Sequence, residues 1–206
     1  GADEYNCGTA TFQLSVNVSD GWNMVSIPGL HPIDQNVSTW WAFRDPGANV
    51  FRYASGYQSV TDAVTGIGYW MKHAGALTYN TGDEWPAGGI NVVPHAPITA
   101  ASGWNLFGGY ELSVTAANVT TVPAGLQSGP IYKYSGGYQT ATTLDPGYGY
   151  WIKLNAAGQI IIPETLAKDG KPVEYFPESW GMIVLTDATG INYTLYAVKG
   201  EVNLDD

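Results

Sequence analysis

The chain has 206 residues, a formal net charge of −10 at pH 7 and a pI near 4.5. Its 8 Lys and Arg residues are scattered, so it lacks the clustered positive face that nucleic acids and anionic membrane surfaces require. With 26 Gly, 12 Pro, 13% aromatic and only 13% charged residues, it reads as many short strands joined by Gly/Pro turns, long enough for one sizeable core or two small ones.

No run of 18 apolar residues is present, so no helix is expected to insert in a membrane. Cys7 has no partner for an internal disulfide. The opening Gly-Ala-Asp-Glu-Tyr-Asn lacks the basic and apolar regions of a signal peptide, so export would imply a mature or trimmed form.

Taken in order, residues 11–18 alternate with Phe12, Leu14, Val16 and Val18 on one side, the pattern of a half-buried strand. Asp20-Gly21 turns into a second strand over 22–27, which Pro28-Gly29 stops. Residues 34–43 are the one place where a helical turn is expected, capped by Asp34 or Asn36. Strands at 50–54 and 57–61 flank Ser55-Gly56, read as a tight two-residue hairpin, and a further strand covers 67–73, followed by 76–80. Residues 81–89 are the best linker candidate.

A second copy then begins. Gly66-Ile67-Gly68-Tyr69-Trp70-Met71-Lys72 reappears as Gly147-Tyr148-Gly149-Tyr150-Trp151-Ile152-Lys153 at an offset of 81, residues 50–58 recur as 131–139, and Gly21-Trp22-Asn23 recurs as Gly103-Trp104-Asn105 at 82. This is a tandem duplication. The sequence therefore predicts an all-β protein of two homologous antiparallel β units, small sandwiches or barrels, over 1–88 and 89–170, with a C-terminal β-hairpin segment over 171–206 built around the loop at 187–190. Whether the units have separate cores or share one stays open, as does whether the tail completes the sheet or starts a further domain.

Residues kept in both copies meet the same environment twice, so Trp22/Trp104, Tyr53/Tyr134, Tyr57/Tyr138, Tyr69/Tyr150 and Trp70/Trp151 read first as core or sheet-face aromatics. Aromatics found in one copy only are the binding candidates. Trp40 and Trp41 fall opposite Val122 and its neighbours, Tyr148 falls opposite Ile67, Trp85 lies between the copies, and Tyr110 has no counterpart. Adjacent Trp40 and Trp41 should point in different directions, leaving one of them hard to bury. Two units packed through Trp85 would enclose a cleft, the natural place for a ligand. An exposed Trp or Tyr suits the apolar face of a sugar ring, with Asn, Gln, Asp and Lys to meet its hydroxyls.

Catalytic and metal patterns are missing: no paired His or Cys, no calcium loop, no Gly-x-Ser-x-Gly, no P-loop and no dinucleotide fingerprint. His31, His73 and His95 are isolated, Asp83-Glu84 and Asp205-Asp206 read as solvated acidic loops, and none of Glu111, Glu164, Glu174 or Glu178 sits in a glycosidase-like pattern. Neither a cofactor nor a metal is expected. The four Asn-x-Ser/Thr sequons at Asn17, Asn36, Asn118 and Asn192 are what chance supplies in such a composition.

The Gly-Trp-Asn-Met-Val-Ser-Ile-Pro and Gly-Trp-Asn-Leu-Phe-Gly-Gly openings, each closed by Gly-x-Gly-Tyr-Trp-x-Lys, resemble a repeat of large secreted or surface proteins of Bacteroidetes and Ignavibacteria-type bacteria, over about residues 11–163. The resemblance implies an extracellular or cell-surface, non-catalytic β-module beside other domains of a larger protein. Two functions remain: binding of a polysaccharide or other glycan through Trp40, Trp41, Trp85, Tyr110 and Tyr148, or self-association into a filament or surface layer through the strand at 11–18. A glycan-active enzyme is the third reading.

Overall fold

The computed structural model describes residues 10–164, 181–186 and 192–197. Cys7, Glu174, Glu178, Asp205, Asp206 and the expected loop at 187–190 lie outside the described residues. The chain divides into two compact units, Gly1–Thr165 and Leu166–Asp206. Both repeats thus belong to one unit rather than to two domains. In the other, β18 (Gly181–Thr186) and β19 (Asn192–Ala197) pair antiparallel, as the tail pattern predicts. The structure is all-β apart from one helical turn in each repeat.

In chain order the first repeat runs β1 (Thr11–Phe12), β2 (Ser15–Val18), β3 (Gly21–Ser26), α1 (Val37–Trp40), β4 (Val50–Tyr53), β5 (Tyr57–Val60), β6 (Gly68–His73), β7 (Leu77–Asn80) and β8 (Ile90–Asn91). The second runs β9 (Ile98–Ala100), β10 (Gly103–Gly108), β11 (Val114–Thr115), β12 (Thr120–Val122), β13 (Tyr132–Tyr134), β14 (Tyr138–Thr140), β15 (Thr143–Leu144), β16 (Gly149–Leu154) and β17 (Gly158–Ile161). Each repeat centres on a four-stranded sheet, ordered β3-β6-β4-β5 in one and β10-β16-β13-β14 in the other. Register is conserved between them: Trp22 opposes Lys72 as Trp104 opposes Lys153, and Phe51 opposes Trp70 as Tyr132 opposes Trp151.

The shared motifs explain these sheets. Gly21 and Gly103 hold φ near +84° and +92°, values open to Gly at no steric cost, and so let the chain reverse into β3 and β10. Two residues on, the Asn23 amide accepts from Ser19 N–H at 2.8 Å and donates to the carbonyls of Ser19 and Gly21; Asn105 does the same with Ala101 and Gly103. In the Gly-Tyr-Trp strand the tyrosine faces inward, and its hydroxyl accepts a turn N–H at 2.7 Å, from Val64 to Tyr69 and from Asp145 to Tyr150. Alternation sends the next residue, Trp70 or Trp151, to the opposite face.

The repeats meet reciprocally. Ser26 N–H donates to Gly147 C=O at 2.9 Å and Gly108 N–H to Gly66 C=O at 3.1 Å; Val25 bridges Tyr148 as Phe107 bridges Ile67. Contacts that return with the partners exchanged define a two-fold relation, whereas stacked solenoid repeats would run one way only. Gly68 and Gly149 are needed at this junction, because a Cβ there would lie 2.7 Å from Phe107 O and 3.0 Å from Val25 O. Each repeat keeps its own core, with Ile67 and Tyr148 packed against both. Met24, Trp70, Leu106 and Trp151 form a third cluster shared between the sheets.

Several expectations change. The strand at 11–18 is split, since β1 pairs with β8 while β2 pairs with β7, and both pairings lie within the chain. Ile90 therefore packs in the first core, so the first repeat extends past residue 88. Residues 81–89 are no linker: the Trp85 indole donates to Trp40 C=O at 2.8 Å and anchors the segment to that core. The 55–56 turn holds three residues, because Tyr53 pairs with Tyr57. Asn36 caps α1 by accepting from Ser38 N–H, as its residue type suggests.

Candidate functional site

Outer-face positions of the two sheets converge on the two-fold junction. On one side stand Trp22, Phe51 and Trp70, and their counterparts are Trp104, Tyr132 and Trp151. Tyr53 and Tyr134 cross over: Tyr53 meets Trp151 at 5.0 Å and 75°, and Tyr134 meets Trp70 at 4.9 Å and 74°. Trp22 stands edge-on to Trp70 at 6.4 Å and Trp104 to Trp151 at 6.3 Å, so the two halves match closely. Edge-to-face packing of this kind contributes about 0.5–1.5 kcal/mol per pair beyond area burial.

The junction carries two open aromatic pockets of about 430 and 410 Å³. One is lined by Trp104, Tyr132 and Trp151 with Tyr53 from the other repeat, and its mate by Trp22, Phe51 and Trp70 with Tyr134. Tyr57 and Tyr138 line both pockets and so join them. Four of these rings are partly open to solvent: Trp22 is 40% exposed, Trp104 43%, and Tyr57 and Tyr138 58% each. Deeper in, the Trp70 and Trp151 indole N–H groups are buried without a hydrogen-bond partner among the described residues. Partial burial raises the pKa of the Tyr138 phenol, and the neighbouring Tyr57 and Tyr134 add to this.

Cations sit at the rim. Lys153 Nζ lies 6.0 Å from the Trp104 ring centroid. Lys72 is held instead by Asp45 at 2.9 Å, and the hydrogen bond from Lys72 keeps the Asp45 carboxyl below the usual carboxylate range. Flat rings, phenol hydroxyls and indole N–H groups suit stacking on an apolar ring face and hydrogen bonding to hydroxyls.

The single-copy aromatics lie elsewhere. Trp40 and Trp41 are each 1% exposed, so neither can act as a platform. The helix ends at Trp40, and Trp41 takes φ −128° and ψ 68°, which turns both rings inward: Trp40 against Trp85 and His31, Trp41 against Tyr69. Trp85 is buried and stacks on Tyr79 at 5.5 Å. Tyr110 is buried too, stacks on His95 at 4.2 Å, and donates to Ala96 C=O at 2.8 Å. These four are buried residues of the two repeat cores, and none of them lines an aromatic pocket. Tyr148 alone of the expected set borders an open space, a polar cleft of about 500 Å³ beside the aromatic pockets.

Sequence reasoning passed over the junction residues because both copies carry them. A usable signal was present: Tyr69-Trp70 and Tyr150-Trp151 place aromatics on both faces of one strand, and a single core covers only one face. His95 Nε2 lies 2.9 Å from Glu111, and neither residue lines an aromatic pocket. Among the described residues no helix is long and apolar enough to cross a membrane, and no group of three His, Cys, Asp or Glu residues could hold a metal. No protein-family model matches the chain, and neither a curated protein nor a solved structure matches it significantly.

Proposed function

We propose that the chain is a non-catalytic, extracellular β-module that binds glycan through the paired aromatic pockets at its two-fold junction. The observation that carries this reading is the exposure of Trp22, Trp104, Tyr57 and Tyr138 above a floor of buried Trp70 and Trp151. A large aromatic left 40–58% open on a well-packed sheet forgoes part of the roughly 1.5–3 kcal/mol that burying it would contribute, and a partner ring would restore that contact. Among the described residues no charged side chain lines either pocket, and Lys153 reaches only the rim over Trp104, which favours neutral sugars over uronic acids or sulfated chains. The extracellular setting rests on the Gly-Trp-Asn and Gly-Tyr-Trp-x-Lys resemblance. Strand exchange into a filament has less support, because the segment suited to it already pairs with β7 and β8.

The test is retention on insoluble cellulose, chitin and xylan. Wild type should be retained on at least one of them, and Trp22→Ala/Trp104→Ala should lose at least tenfold in affinity with its fold intact by circular dichroism, equivalent to about 1.4 kcal/mol or more. Unchanged retention by the double variant contradicts this site.

A further inference from the structure

The two aromatic pockets are near copies, but the space beside them is not. The polar cleft of about 500 Å³ shares Trp22 and Tyr134 with one aromatic pocket and so continues from it. Its walls include Asp20, Lys133, Asp145 and Tyr148. The duplication identifies their two-fold mates. Val64 corresponds to Asp145, since their N–H groups cap Tyr69 and Tyr150 alike, and Ile67 corresponds to Tyr148, since both bridge the opposite repeat. Ser102 corresponds to Asp20 and Arg52 to Lys133.

Two of these four pairs are polar on one side and apolar on the other: Asp145 and Tyr148 stand where the mirror side has Val64 and Ile67. The Asp145 carboxylate is already engaged, accepting from the Ser113 and Thr143 hydroxyls at 2.8 and 3.2 Å, so the open groups are Lys133 and Tyr148. Arg52 is engaged by the Gln58 side chain at 2.9 Å, whereas Lys133 makes no ion pair or side-chain hydrogen bond among the described residues. Tyr148 OH accepts from Asn17 N–H at 2.9 Å, which leaves its own proton free to donate. Asp20 uses one carboxylate oxygen to accept from Gly75 N–H at 2.7 Å.

We infer that this cleft is a directional subsite: it hydrogen-bonds the hydroxyls of the sugar units that follow the one stacked on Trp22, through Lys133 and Tyr148, so a bound chain runs across the junction in one orientation. The inference rests on the glycan reading of the aromatic pockets. A polyhydroxylated chain fits both compartments, since its ring faces are apolar while its edges carry donors and acceptors.

Calorimetric titration of the full chain with neutral cello- and chito-oligosaccharides of two and six units separates the two ideas. Lys133→Met and Tyr148→Phe should each weaken six-unit binding, together by about tenfold, and leave two-unit binding unchanged. Arg52→Met, on the mirror side, should leave both unchanged, and Trp22→Ala should weaken six-unit binding more than Trp104→Ala does. Equal effects of the two tryptophan variants, with wild-type affinity in Lys133→Met and Tyr148→Phe, would overturn the directional subsite and leave the glycan site standing. Wild type that binds neither series, or full binding by Trp22→Ala/Trp104→Ala, would overturn both.

Discussion

Single residues here take their meaning from what their polar atoms meet. Asn23 and Asn105 each spend a whole amide on backbone groups within four residues, so the motif Asn is a turn clamp. Asn23→Ala and Asn105→Ala should each cost about 1–3 kcal/mol by denaturant unfolding, with similar values in the two repeats; a much smaller loss in either would mean the amide is replaceable by water. The inward tyrosines add a pH limit. Burial pushes the Tyr79 phenol up to about 12 and raises Tyr69 and Tyr150 as well, while the unfolded phenols ionise near 10. Their contribution to stability is thus complete below pH 10 and is lost as pH rises through the folded values. A titration followed by tyrosinate absorbance and near-ultraviolet dichroism should show unfolding between about pH 10 and 12; ionisation of every tyrosine near 10 without unfolding would contradict the buried placements.

Among the elements, the Gly-Tyr-Trp strand governs the junction. Its glycine admits the other repeat's backbone, its tyrosine closes its own turn, and its tryptophan floors a pocket. Near the two-fold axis only one of a pair can carry a side chain: Ser26 donates to Tyr148 C=O at 2.8 Å, and a Cβ on its mate Gly108 would fall on the Ser26 side chain. Gly108→Ala should destabilise by about 1–3 kcal/mol, and adding Ser26→Gly should recover a large share, since the clash needs both side chains. A double variant no better than the sum of the singles would show that the strain lies elsewhere. The strands of the first repeat and its helical turn were legible because they rest on local pattern: alternation at 11–18, Asn36 before an apolar run, Gly at positive φ; the second helical turn, Ala116–Asn118, was not, since it has neither a side-chain cap nor a buried residue. The reciprocal junction was not. It depends on backbone pairing between residues about 40 and about 120 positions apart, for which periodicity carries no signal. Trp40-Trp41 misled for a related reason: a one-turn helix that ends between two tryptophans buries both, whereas a continued strand or helix would separate them.

At the scale of the whole unit, duplication has produced an isologous dimer within one chain, with two private cores and a shared aromatic layer. This arrangement inverts the inference drawn from repetition. In a solenoid, repeated aromatics are core and unique ones carry function; at a two-fold junction, repeated residues meet near their own copies and line a common space. Hence Trp22, Trp70, Trp104 and Trp151 gather at one place, while Trp40, Trp41 and Trp85 fill the first core alone. The two copies differ beside this layer, with Asp145 and Tyr148 on one side where Val64 and Ile67 stand on the other, so the symmetric platform has two unlike flanks. The eight tryptophans make this account directly readable, because each contributes one indole N–H signal. The deciding measurement is a ¹H–¹⁵N spectrum of those signals during titration with the neutral six-unit oligosaccharide that binds best. The account predicts that Trp22, Trp70, Trp104 and Trp151 shift in a saturable manner, while Trp40, Trp41 and Trp85 stay in place; shifts confined to the latter three, or none at all, would contradict it.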